Sequence, residues 1–329
     1  MDTFRQVVAK APDFGPGHVA LAKFLACYRF FLPADQGPQL AAEAAREAKK
    51  AMAVDPKDPD AICALYLLTP ARDFIAKDRI INQDLPFDPS WVYVDIFRSS
   101  FLQDMGRLRE SLTFAQRAVA ANPLSLDATS DIPLAMNGQY RAADQELARL
   151  LRLWPSGPLL WNDRIVVYGS ESNWPALEAT LDDPGVRPKT VSDADVALLK
   201  LVYKALRLRS PDDAAEARRR LLEPAADSWL RPDTRITFLA WLGFDDDAFA
   251  LADRAADQGA AFLAGPTFLF APQTAAMRRD RGFMPLAAKL GLVRYWQAVG
   301  KWPDFCTEPG LPYDCKAEAT KLAGATAKT

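Results

Sequence analysis

The chain has very few of the residues that most often carry out catalysis. Its 329 residues include a single histidine, His18, and four cysteines. One imidazole cannot make a two-histidine metal centre. No HExxH, CxxC, GxSxG or GxxxxGK pattern occurs either, so the commoner zinc, redox, hydrolase and nucleotide signatures are missing. His18 lies between Gly17 and Val19, where a helix should begin, and reads as a helix-start or surface residue rather than a base or ligand. The expectation is a protein that is not an enzyme and uses no cofactor and no metal.

An excess of charge of one sign is also lacking. Forty basic residues stand against 42 acidic ones, for a net charge of -2 at pH 7. That balance gives no electrostatic reason for direct nucleic-acid binding or for attraction to an anionic membrane. Long hydrophobic runs are missing as well. Half of the residues are apolar, yet no stretch approaches the roughly 20 uninterrupted apolar residues of a membrane span, so membrane insertion is not expected. The opening MDTFRQVVAKAPDF scatters charges among its apolar residues, unlike a secretory signal. The chain as given reads as cytoplasmic; a membrane span upstream of it would make it periplasmic.

What the sequence does have is a returning phrase, an Ala-rich amphipathic helix that ends in proline and is followed by a new helix. It occurs at Ala41 to Pro56, Ser111 to Pro123 and Tyr140 to Pro155. A phrase repeated in sequence implies a unit repeated in space. Helix entries repeat too. Asp58-Pro59, Asp88-Pro89 and Ser210-Pro211 each pair a capping side chain with a proline at the first helical position, where its missing N–H is not needed. Later pairs follow at Pro158 to Tyr168 with Trp174 to Leu181, Ser192 to Leu208 with Asp212 to Leu222, and Pro232 to Leu242 with Asp245 to Asp257. The β-branched clusters VYVDIF and RIVVY sit in windows of helical period and read as helix. The fold class is therefore all-α.

Three regions follow. Residues 1–158 hold the more regular hairpins, entered half-way through one at Phe4 to Pro12. Residues 159–300 hold degenerate hairpins and closing helices. Residues 301–329 form a Pro- and Cys-containing extended tail with a frayed end. Cys27 and Cys63 lie in apolar helical stretches and read as core thiols. Cys306 and Cys315 lie close together in the tail, where an oxidising compartment would let them pair. Closing so short a loop contributes roughly 2 to 3 kcal/mol in the chain-entropy description.

Other conspicuous residues have plain structural readings. The run Asp245, Asp246 and Asp247 opens a helix, where carboxylates complement the helix dipole. The runs Arg218 to Arg220 and Arg278, Arg279 and Arg281 lie toward helix ends and read as solvated faces. Trp154, Trp161, Trp174, Trp229, Trp241, Trp296 and Trp302 read mostly as core.

Taken with Gly106 and Ala118 before Pro123, and Gly138, Tyr140 and Ala143 before Pro155, the phrase resembles the tetratricopeptide repeat. That family uses units of about 34 residues, small side chains where paired helices cross, and a closing proline. The resemblance implies a right-handed α-solenoid of about seven hairpins with an extended C-terminal tail. The run FMPLAAKLGLVRYWQAVGKWPDFC is similar to the terminal segment of repeat regions in bacterial regulators, namely CadC-like winged-helix transcription regulators and certain adenylate cyclases. It implies a regulatory or protein-interaction module, with a homodimer allowed. In such an array the first helices line a concave groove. The candidate contacts for a protein segment or peptide are then Tyr93, Ser100 and Gln103 on one helix, Asn162 on a later one, and Lys200 and Tyr203 on the next. The alternative is a small-molecule sensor with an apolar pocket among the hairpins from Leu159 to Gly259.

Overall fold

The computed structural model describes residues 1–29, 37–82, 92–155, 157, 159–223, 228–257 and 265–326. Among the described residues there are helices and no strands. In chain order they are α1 (Asp2–Lys10), α2 (Gly15–Tyr28), α3 (Gly37–Val54), α4 (Pro59–Leu68), α5 (Phe74–Ile81), α6 (Val92–Asp104) and α7 (Leu108–Ala121). There follow α8 (Asp131–Met136), α9 (Tyr140–Leu153), α10 (Leu160–Glu171), α11 (Trp174–Asp182), α12 (Asp193–Leu208), α13 (Pro211–Leu222), α14 (Pro232–Trp241) and α15 (Asp245–Asp257). Two 3₁₀ segments, Gly265–Phe270 and Pro272–Thr274, lead into α16 (Ala275–Arg279), α17 (Phe283–Lys289) and α18 (Leu292–Val299). A further 3₁₀ turn, Asp304–Thr307, precedes α19 (Cys315–Thr326).

The local chemistry acts where the sequence puts it. Asp58 accepts a hydrogen bond from the Ala61 N–H at 2.8 Å and Ser210 accepts one from Asp213 at 3.2 Å, with Pro59 and Pro211 opening α4 and α13. The third such entry, Asp88-Pro89, lies outside the described residues. Pro56, Pro123 and Pro155 each follow shortly after the ends of α3, α7 and α9. The alanines inside the phrase, Ala48, Ala118 and Ala143, are fully buried. Their missing bulk lets neighbouring helices approach closely. Thus α3 packs on α2, α7 on α6 and α9 on both α8 and α10.

His18 does stand in the first turn of α2, but it is buried. Its Nδ1 lies 2.5 Å from Glu47 Oε2 on α3 and its Nε2 lies 2.7 Å from the Pro12 carbonyl oxygen, so both ring nitrogens are engaged in stitching α2 to its neighbours. Burial works against the Glu47 carboxylate, yet hydrogen bonds from Lys50 and His18 hold it below the ordinary range. Cys63 is buried as expected, whereas Cys27 is only partly so.

The C-terminal third departs from an open array of hairpins. One apolar core runs from Cys63 of α4 to Ala319 of α19, so the closing helices share it with the early ones. Trp296 of α18 is fully buried and donates its indole N–H to the Met105 carbonyl, just past α6, at 3.1 Å. The Tyr295 hydroxyl donates to Asp78 of α5 at 2.8 Å, and the Asp304 N–H donates to the Gly106 carbonyl at 2.9 Å. Phe270, Phe283, Trp296 and Phe305 pack as one aromatic cluster with ring centroids 5.1 to 6.5 Å apart. Gly106 has φ +72, and a Cβ there would come within 2.6 Å of the Phe270 ring. Glycine lets α6 end where the closing segment crosses it.

Three sequence expectations change, and the pairing expected of the two tail cysteines is present. The tail is not extended to its end: Asp314 accepts from the Ala317 N–H at 2.7 Å and starts α19, which packs on α17 and α18. Cys306 and Cys315 are joined by a disulfide between the 3₁₀ turn and this helix. Arg278 is not on a solvated face. It is buried, and its Nη1 donates to the carbonyls of Leu269 at 2.9 Å and Ala271 at 2.8 Å, which ties it to the 3₁₀ turns. Trp154 is 43% exposed and caps the Leu124 carbonyl instead of filling the core.

Candidate functional site

The two 3₁₀ segments pack against α6 and α14. Two side-chain hydrogen bonds pin them at long range. Thr267 Oγ1 donates to Asp104 Oδ1 on α6 at 2.5 Å, and Gln273 Nε2 donates to Ser170 Oγ on α10 at 2.7 Å. The approach at Asp104 is close. Gly265 has φ +71, and a Cβ on it would fall 2.2 Å from Asp104 Oδ2, so this entry accepts only glycine. Burial pushes the Asp104 carboxyl up to about 7, opposed by the hydrogen bonds from Thr267 and by the nearby Lys77 ammonium.

Behind this crossing segment lies a cavity of about 240 Å³. Its walls come from α8, α10, α12 and α14 and from the 3₁₀ segments. Much of the wall is aromatic: Tyr203, Trp229, Phe238, Trp241 and Phe268. Tyr203 stands edge-on to Phe238 and Trp241, with centroids 5.7 and 6.0 Å apart. Ile165, Leu199 and Met136 add aliphatic surface, while Asn162, Thr234 and Gln273 place neutral polar groups at the lining. The ionisable groups of the wall are Arg231 and Asp233, paired at 2.8 Å, and the Tyr203 phenol, which burial raises far above its ordinary range. An apolar chamber with a few convergent polar groups is the usual form of a small-molecule site.

The six candidate groove residues fall in separate places. Asn162 and Tyr203 both line this cavity. Tyr203 is a correction to the groove reading, because it is only 6% exposed and stands in the core between helices, where its aromatic packing decides its position. Lys200 lines a different cleft of about 430 Å³ between α11 and α12. Two ion pairs, Lys200 with Asp182 and Arg207 with Glu178, cross that cleft, and all four groups are well exposed. Ser100 and Gln103 line a third hollow of about 140 Å³ beside Asp127 and Thr129. Tyr93 lines none of these; its hydroxyl donates to Asp127 at 3.2 Å while Lys23 Nζ sits 3.5 Å above its ring.

Sequence reasoning passed over Asp104, Thr267 and Gln273, because each acts on a partner more than 100 positions away. It also passed over Asp131 and Asp163 on α8 and α10. Burial raises both carboxyls, and the nearby Asp131 charge raises Asp163 further. At Asp131 the effect of burial is tempered by hydrogen bonding from the Ile132 N–H and the Thr129 hydroxyl. Among the described residues no group of three or more His, Cys, Asp or Glu side chains could hold a metal ion, and no helix is long and apolar enough to cross a membrane. No protein-family model matches the chain, and no curated protein is significantly similar to it.

Proposed function

We propose that this chain is a non-enzymatic regulatory module that binds a small molecule in the cavity between α8, α10, α12 and α14. The framework in this reading is a right-handed array of tetratricopeptide-like hairpins whose first helices face inward. The observation that carries the reading is the placement of the Gly265–Thr274 segment. A protein segment seated along the inner face would have to displace a stretch already fixed by Asp104, Ser170 and Arg278. A small molecule needs only the chamber that this stretch helps to line.

The resemblance to repeat regions of bacterial regulators supplies a natural setting, in which ligand binding stiffens the array and an attached output module reads the change. A peptide-binding reading keeps one specific feature, the hollow at Ser100 and Gln103, which the crossing segment does not line. Thermal-shift screening of the intact chain against small molecules separates the two. A ligand of the cavity at 100 times its dissociation constant should add about 2.7 kcal/mol of stability. That gain should vanish in Val166→Trp, which fills the chamber from α10. Hits whose effects all survive Val166→Trp would overturn the assignment.

A further inference from the structure

The wall of the chamber restricts the charge of its occupant. Arg231 Nη2 and Asp233 Oδ2 are 2.8 Å apart, and the Asp233 side chain is only 11% exposed. A ligand carboxylate that captured Arg231 would leave Asp233 as a largely buried anion without its cation. A ligand ammonium that captured Asp233 would only release Arg231, whose side chain is 41% exposed, to solvent. For the largely buried carboxylate the loss of its cation is costly, because the charge keeps its desolvation penalty, so the pair counts against anions. The other polar side chains at the lining, Asn162, Ser170, Thr234, Thr237, Thr267 and Gln273, are amides and hydroxyls. They can pair with hydroxyl or carbonyl groups and supply no countercharge.

The aromatic part of the wall restricts shape. Tyr203, Phe238 and Trp241 meet at interplanar angles of 85 to 86°, an edge-to-face arrangement that a flat ring can extend. We infer that the cavity takes a flat, mainly apolar molecule bearing a hydroxyl or carbonyl group, and discriminates against anions of the same shape. This inference rests on the cavity being the ligand site.

Two congeners with one ring system test it: 2-naphthol and 2-naphthoate, titrated into the intact chain at pH 7 with tryptophan fluorescence as the signal. The expected result is one-to-one binding of 2-naphthol at least tenfold tighter than 2-naphthoate. Val166→Trp and Thr234→Trp, which fill the chamber from two different helices, should each weaken 2-naphthol at least tenfold while the variant melts no lower than the parent. The two positions guard against one variant failing to fold. The inference is overturned if 2-naphthoate comes within tenfold of 2-naphthol, if neither binds, or if 2-naphthol binding survives both folded variants. A separate anionic hit whose stabilisation is abolished by Val166→Trp would sink the charge rule alone and leave the cavity as the site.

Discussion

Replacing Trp296 by alanine is expected to destabilise the chain by about 3 to 5 kcal/mol, the usual range for removing a fully buried large aromatic side chain. Three losses combine in this one change. The aromatic cluster with Phe270 and Phe305 loses a member, a large cavity opens, and the Met105 carbonyl loses its indole donor. Because Trp296 joins α18 to the end of α6, the consequence is not confined to the C-terminal helices. Urea unfolding of the intact variant should show a lower midpoint for the whole transition. A cost below about 1 kcal/mol would mean that the closing helices are not docked on α6, since that is the scale of a surface substitution.

Asp104→Asn should have the opposite sign, and its size should depend on pH. The folded carboxyl is raised from an ordinary 3.8 to about 7. Between those values the folded chain holds a proton that the unfolded chain has released. Stability from this group is therefore fullest below about pH 4, falls as pH rises, and is lost by about pH 7. Lys77 of α5, Tyr66 of α4 and Thr267 are the groups that sense or temper this charge. Asparagine stays neutral, and its amide oxygen can still accept from Thr267 Oγ1. Its advantage over the parent should be about 3 kcal/mol larger at pH 8 than at pH 5, from roughly two pKa units at 1.36 kcal/mol each. Urea midpoints at the two pH values measure it. A difference independent of pH would show that Asp104 titrates in its ordinary range.

These two residues also mark where the sequence stopped being legible. The repeated phrase, its terminal prolines and the Asp58 and Ser210 caps were readable because each is settled within a turn or two of helix by backbone hydrogen bonding. Short helices were not. The six residues of α8 include Pro133, and α5 spans only Phe74–Ile81, so neither carries enough period to stand out. Burial against larger neighbours holds both in place. The tail was misread because Pro303, Pro309 and Pro312 dominate its composition, although the cap at Asp314 was a usable signal for α19.

The candidate site was legible only in part. An apolar pocket among the later hairpins was the alternative reading, and Asn162 and Tyr203, named as groove contacts, line the cavity instead. The placement of its 3₁₀ wall was not foreseeable. It depends on one hydroxyl, Thr267, meeting one carboxylate, Asp104, across 163 positions, with Gly265 chosen for the space it does not fill. No local pattern encodes a pairing of that kind, and loop entropy alone would not favour it.

The central claim is that Gly265–Thr274 is packed firmly against α6 and α14 as one wall of the cavity. Hydrogen–deuterium exchange of the intact chain at neutral pH tests it most directly. Peptides spanning Phe268 to Thr274 should exchange as slowly as those of α6 and α14, because their amides are tied into the 3₁₀ turns and packed against the core. Exchange at the rate of an unstructured segment would contradict the claim and leave the cavity without that wall.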